Sequence, residues 1–307
     1  MHAVRTRRTV AVLLSAVAAS TVLTACGPSA PAGSAPGLSA ASLPVPSEAV
    51  RPPGVRTGVP RDVTAMVLPA TGADTRLTRG LDGFAQRVGH ARLRECAERE
   101  GVGLAEGPPP AYIGWADVPD LEFIGRHGLT ASVPALSEEE AAEAAEATAR
   151  GGGRSDPEAQ RRCGREAQAV VEDFKDLYAP LQSRWWPEVS AVRDDPRSRE
   201  ALRGLPGCFQ RYGVDVDDQD GFFALVDRTA QSVEDPGEAA RADQGLGAAY
   251  AVCMAPVEAV REPLRLSRRT ALEASHGDEL RALGRTLPPR IHELERRYGL
   301  TFARPVP

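Results

Sequence analysis

Ser155-Asp156-Pro157-Glu158 opens the stretch that decides the fold, which runs on through Cys163, Val170, Val171, Phe174, Leu177 and Tyr178. Ser155 with Glu158 three positions later has the form of a capping box, and Pro157 suits a first helical turn. The apolar residues that follow return at helical spacing, so one face of a helix is buried and the other is wet. Outward from there the same signals repeat. From Asp74 to Glu100, Leu77, Leu81, Phe84, Val88 and Leu93 recur at mostly three- and four-residue steps, and Gly101 is placed to end the helix.

Downstream, Asp195-Pro196 opens a helix running towards Tyr212 and Gly213, with a bend expected at Pro206. Asp235-Pro236 opens the longest helix, expected to continue to about Leu283 with kinks at Pro256 and Pro263. Pro288-Pro289 starts a last short helix ending near Gly299. Strand alternation is absent except at Val63 to Leu68, which reads as a strand. The class is all-α. Ser137 to Arg150 carries Glu138, Glu139, Glu140, Glu143 and Glu146 among alanines and leads into Gly151-Gly152-Gly153. It reads as a solvated spacer between a first helical half, 61–150, and a second, 151–307.

Four cysteines, Cys96, Cys163, Cys208 and Cys253, lie in this helical part, and none forms a Cys-x-x-Cys pair. An even set without redox or zinc-ribbon spacing argues for two disulfides, with three pairings open. An internal echo favours one of them. Cys96-Ala-Glu-Arg-Glu-Gly101-Val102 and Cys208-Phe-Gln-Arg-Tyr-Gly213-Val214 share one form at a helix C-terminus, each followed by a cysteine in a later helix. A duplicated unit would join Cys96 to Cys163 and Cys208 to Cys253.

The N-terminal region is different in kind. Arg5, Arg7 and Arg8 precede an acid-free apolar run from Val10 to Leu23, the layout of an export signal over residues 1–25. Thr6-Arg7-Arg8-Thr9-Val10 has a weak likeness to a twin-arginine motif. Leu23-Thr24-Ala25-Cys26 resembles a bacterial lipobox, which implies cleavage before Cys26 and a diacylglyceryl group on its thiol. Residues 26–60 are rich in Pro, Gly, Ser and Ala and read as a disordered tether, with a reach on the order of 30 Å.

Charge and composition exclude several classes. The chain carries a formal charge of −5. Without Arg5, Arg7 and Arg8 it is more acidic still, which leaves no electrostatic footprint for nucleic acid. Lys175 is the only lysine and lies between Asp173 and Asp176, so Walker A, Schiff-base and Ser-x-x-Lys chemistry are all excluded. Asparagine is missing, and with it any N-glycosylation site.

The remaining candidates have structural readings. Asp218, Asp220, Gly221 and Asp227 fit positions of a calcium loop begun at Val216, but the first ligand would be aliphatic. An acidic turn in which Asp220 caps a helix from Gly221 to Thr229 is the expected reading. His90, His127, His276 and His292 make no zinc spacing. Trp185-Trp186 could stack on a sugar or peptide, although covering helix ends is the expected role. No catalytic, metal or cofactor residues are assigned.

Taken together, Arg94–Val102, Gly125–Leu129, Arg162–Ala167, Gly207–Val214 and Ala242–Met254 resemble uncharacterised helical, disulfide-containing lipoproteins of actinobacteria. Phe209 stands where that pattern has Met. The resemblance implies a cell-envelope protein, lipid-anchored at the extracytoplasmic face of the membrane, and supplies no catalytic residues. The expected function is non-enzymatic: binding a protein partner or wall component, as an accessory to a membrane transporter. A solute-binding protein and an unrecognised cell-wall hydrolase are the alternatives.

Overall fold

The computed structural model describes residues 54–104, 117–129, 156–233 and 235–307, all within the compact unit Leu38–Pro307. Cys26, Ser155, the tether up to residue 53 and the Glu138–Glu146 strip lie outside the described residues. The elements are β1 (Gly54–Thr57), α1 (Val63–Val67), α2 (Gly72–Glu100), α3 (Leu121–His127), α4 (Pro157–Lys175), α5 (Ala179–Arg193), α6 (Pro196–Leu202), α7 (Leu205–Arg211), α8 (Gln219–Ser232), α9 (Pro236–Tyr298) and β2 (Ala303–Val306). The protein is, among the described residues, all-α apart from one two-stranded ribbon. Among the described residues, no helix is long and apolar enough to cross a membrane.

Local signals set most helix ends. Thr71 and Asp74 form a reciprocal capping box at the start of α2, and Gly101 closes that helix in the left-handed region at φ 64°. At α4 the cap is Asp156, whose carboxylate accepts from the Glu158 and Ala159 amides, with Pro157 behind it. Asp218, rather than Asp220, caps α8 by accepting from the Gly221 amide at 2.7 Å.

Four further expectations are corrected. Val63–Val67 is a helix: Asp62 accepts from the Ala65 amide, and this cap outweighs the β propensity of two valines. The ribbon was not foreseen, and β1 falls inside the stretch read as tether. It pairs antiparallel with β2, Gly54 opposite Val306 and Thr57 opposite Ala303. The helix opened by Pro196 stops at Leu202 and α7 starts anew at Leu205, so the break precedes Pro206, which sits in the first turn of α7. Finally, α9 runs through all its prolines and breaks at His276 (φ −122°, ψ 24°). Pro256, Pro263 and Pro289 stand on its exposed side, so the carbonyls they leave unbonded face water.

Two main cores form, and α9 passes from one to the other between Val257 and Leu266, upstream of the break. The C-terminal limb of α9 (Leu280, Leu283, Leu287, Ile291 and Leu294) packs with α1, Leu81, Phe84 and Val88 of α2, Phe174 and Trp185. The N-terminal limb (Leu246, Tyr250, Met254 and Val257) packs with Ile124, Leu205, Phe209 and Phe222. Both cores take residues from each side of position 150, so the 61–150 and 151–307 halves do not correspond to separate cores. Gly80 lets β2 lie against α2, since a Cβ there would meet the Ala303 carbonyl and the Arg304 Cβ at 2.9 Å.

Candidate functional site

The cysteines pair as the internal echo favours. Cys96–Cys163 ties the end of α2 to α4, and Cys208–Cys253 ties α7 to α9, with Cα–Cα distances of 5.4 and 5.6 Å. All four are thereby committed to cross-links.

The structure gives most of the other sequence candidates structural roles. Asp218 is spent on its cap. Trp185 is fully buried in the first core and donates its Nε1 hydrogen to the Pro69 carbonyl at 3.0 Å, and Trp186 packs beside it. His276 lies 3.0 Å from Glu279, and His292 lies 2.7 Å from Glu295. His127 lies against Phe123, ring centroids 4.7 Å apart. No group of three or more His, Cys, Asp or Glu side chains suited to a metal occurs among the described residues. Lys175 acts electrostatically on Asp82, whose carboxyl is pushed up by burial.

A different set of side chains converges instead. Glu258, Arg261, Arg265 and Arg269 follow one another on α9 at steps of three, four and four, which places them on one face. This face meets the irregular link between α1 and α2. Arg269 donates to the Leu68 carbonyl at 3.4 Å and to Asp74 at 2.7 Å, while Arg265 donates to the Ala70 carbonyl at 2.7 Å. With Trp185 on Pro69, three successive buried carbonyls are satisfied by three side chains. The 68–70 link has no partner of its own in a helix or sheet, and buried carbonyls need one.

Arg265 also donates to the Glu258 carboxylate, and Arg261 Nη1 stands 3.6 Å from the same group. The three side chains are almost completely buried. Two guanidinium groups against one carboxylate leave an unmatched positive charge in the interior, and desolvation holds the Arg261 pKa below the usual arginine value. Next to this seam, Tyr250 accepts from Gln219 at 2.9 Å, and burial raises its hydroxyl pKa. Chemically the seam offers fixed positive charge and donors, with no paired acid and base. Its spacing is visible in the sequence; its burial is not, since nothing local distinguishes these arginines from solvated ones.

No family model, no curated protein and no solved structure matches this chain. The functional reading therefore rests on the chain's own residues.

Proposed function

We propose that the chain is a non-enzymatic lipoprotein of the cell envelope, held at the extracytoplasmic face by acyl chains on Cys26. Its helical domain binds a protein partner or a wall component, in the manner of an accessory to a membrane transporter. The observation that carries this reading is the pair of closed disulfides. Cross-links of this kind persist in oxidising compartments outside the cytoplasm. They use every cysteine except Cys26, which stands directly after the basic and apolar leader at Leu23-Thr24-Ala25. Two acyl chains give stable anchoring, since each buried methylene contributes about 0.8 kcal/mol.

Cys26→Ser tests the anchor. Without the thiol no thioether forms, so radiolabelled fatty acid should be incorporated by the wild type alone. The variant should appear as uncut precursor or in the medium. If it were still cut before residue 26 and stayed with the membrane, the anchor would be wrong. Cross-linking on intact cells should trap the wild type in a protein or wall adduct that the released variant loses. Cleavage of peptidoglycan by the purified protein, abolished by one Asp or Glu substitution, would overturn the non-enzymatic assignment.

A further inference from the structure

Arg261 leaves two of its nitrogens, Nε and Nη2, without a hydrogen-bond partner while its side chain is 5% exposed. These two nitrogens form one edge of the planar guanidinium, with parallel N–H bonds spaced to meet both oxygens of a carboxylate. The molecule uses that edge elsewhere. Arg76 gives Nε and Nη2 to the two oxygens of Asp120 at 2.6 and 2.9 Å, and Arg197 gives them to those of Asp195 at 3.0 Å each. Arg265 fills its own edge with the Ala70 carbonyl and Glu258. Among the buried arginines of the described residues, Arg261 alone has both edge nitrogens fully buried and without a hydrogen-bond partner.

Charge points the same way as geometry. Arg261 and Arg265 share Glu258, so the seam needs one further negative charge to be neutral, and a water molecule on the edge would supply none. A buried hydroxyl without a partner, that of Ser198, lies on an element that packs on α9. Ser198 belongs to α6, which packs on α9 between two fixed points, the Glu188–Arg268 ion pair and the Cys208–Cys253 disulfide.

We propose that the Nε–Nη2 edge of Arg261 is a buried receptor for the carboxylate of a small, singly charged organic acid. The edge is closed to solvent, so the acid enters during local opening of the contacts around α9, which favours a small ligand. This inference goes beyond the envelope reading and does not depend on lipid at Cys26.

Acetate is the probe. Thermal unfolding of the full-length protein is followed in sodium acetate, chloride and phosphate at equal ionic strength and pH 7, beside the NMR signal of the Arg261 Nε–H. Acetate should produce a saturable upward shift in midpoint that chloride and phosphate do not, and the Arg261 Nε–H resonance should move with the same saturation. Arg261→Lys keeps the charge but lacks the edge, and should lose the acetate increment. If that variant fails to fold, the wild-type resonance decides alone. An unmoved Nε–H signal, meaning that water serves the edge, would overturn the proposal, as would equal stabilisation by chloride.

Discussion

At the scale of single residues, the 68–70 link depends on side chains that reach it from α5 and α9. Arg265→Met removes the donor to the Ala70 carbonyl and to Glu258 together, stranding a buried carboxylate beside Arg261. The expected loss is about 3–5 kcal/mol, read as a lower urea midpoint with unchanged slope. Trp185→Phe deletes the bond to Pro69 and also part of the fully buried indole volume, so about 2–4 kcal/mol should go. Asp82 works in the opposite direction. Burial raises its pKa, and the opposing charges of Lys175 and Arg79 do not cancel that effect. A carboxyl with a higher pKa folded than unfolded binds protons more tightly in the native state. Its contribution to stability therefore falls as pH rises from the unfolded value through the folded one. Asp82→Asn should raise the melting midpoint above wild type at pH 7, and the gap should close as pH falls below the ordinary value of 3.8. A gap of equal size at both ends of that range would show that proton binding is not the cause.

Helix against helix, two glycines make opposite predictions. A Cβ on Gly247 of α9 would stand 2.6 Å from the Ile124 carbonyl and 2.7 Å from the Gly128 Cα, both backbone atoms of the α3 region. Gly247→Ala should therefore push α3 away and cost about 1–3 kcal/mol. Gly164, inside α4, has open space where its Cβ would be. Gly164→Ala should stabilise by roughly 1 kcal/mol, because alanine loses less backbone entropy in a helix. Urea midpoints that fell for both variants would mean that Gly164 also supports a close contact. At the same scale, α9 turns at His276, directly before Gly277, rather than at its prolines. Its prolines were the visible breakers, yet α9 turns three residues before Glu279, where Arg184 of α5 also holds that carboxylate. The bond from Arg184 spans 95 positions, and no local window contains it.

For the whole molecule, the two disulfides act in different places: Cys208–Cys253 lies within the second core, and Cys96–Cys163 ties α2 to α4 beside the small cluster of Ala97, Val102 and Ala159. Each closes a long loop, of separation 67 and 45, and chain-entropy reasoning assigns each about 4 kcal/mol. Replacing Cys208 and Cys253 by alanine should remove roughly that much and loosen the second core first. Hydrogen exchange should then accelerate in α7 and α8 while α2 and α4, held by Cys96–Cys163, stay protected. Uniform acceleration across all four helices would show the cores to be one cooperative unit. The ribbon adds a closure of another kind, joining the first described residues to the last.

By itself the sequence determined the all-α class, the starts of α4, α6 and α9, the Gly101 stop and the favoured cysteine pairing. Each of these depends on groups a few residues apart: a carboxylate and the amides it caps, a proline ring and its own turn, a glycine free to take positive φ. The pairing of residues 54–57 with 303–306, the burial of Trp185 and the burial of the Arg261 edge were decided only by tertiary structure. These depend on which distant surface arrives to exclude water, and an arginine in solvent has the same local sequence as an arginine in a core. The Glu258–Arg261–Arg265–Arg269 spacing was legible as a helix face. That the face turns inward became visible only when α1, α2 and α5 closed over it.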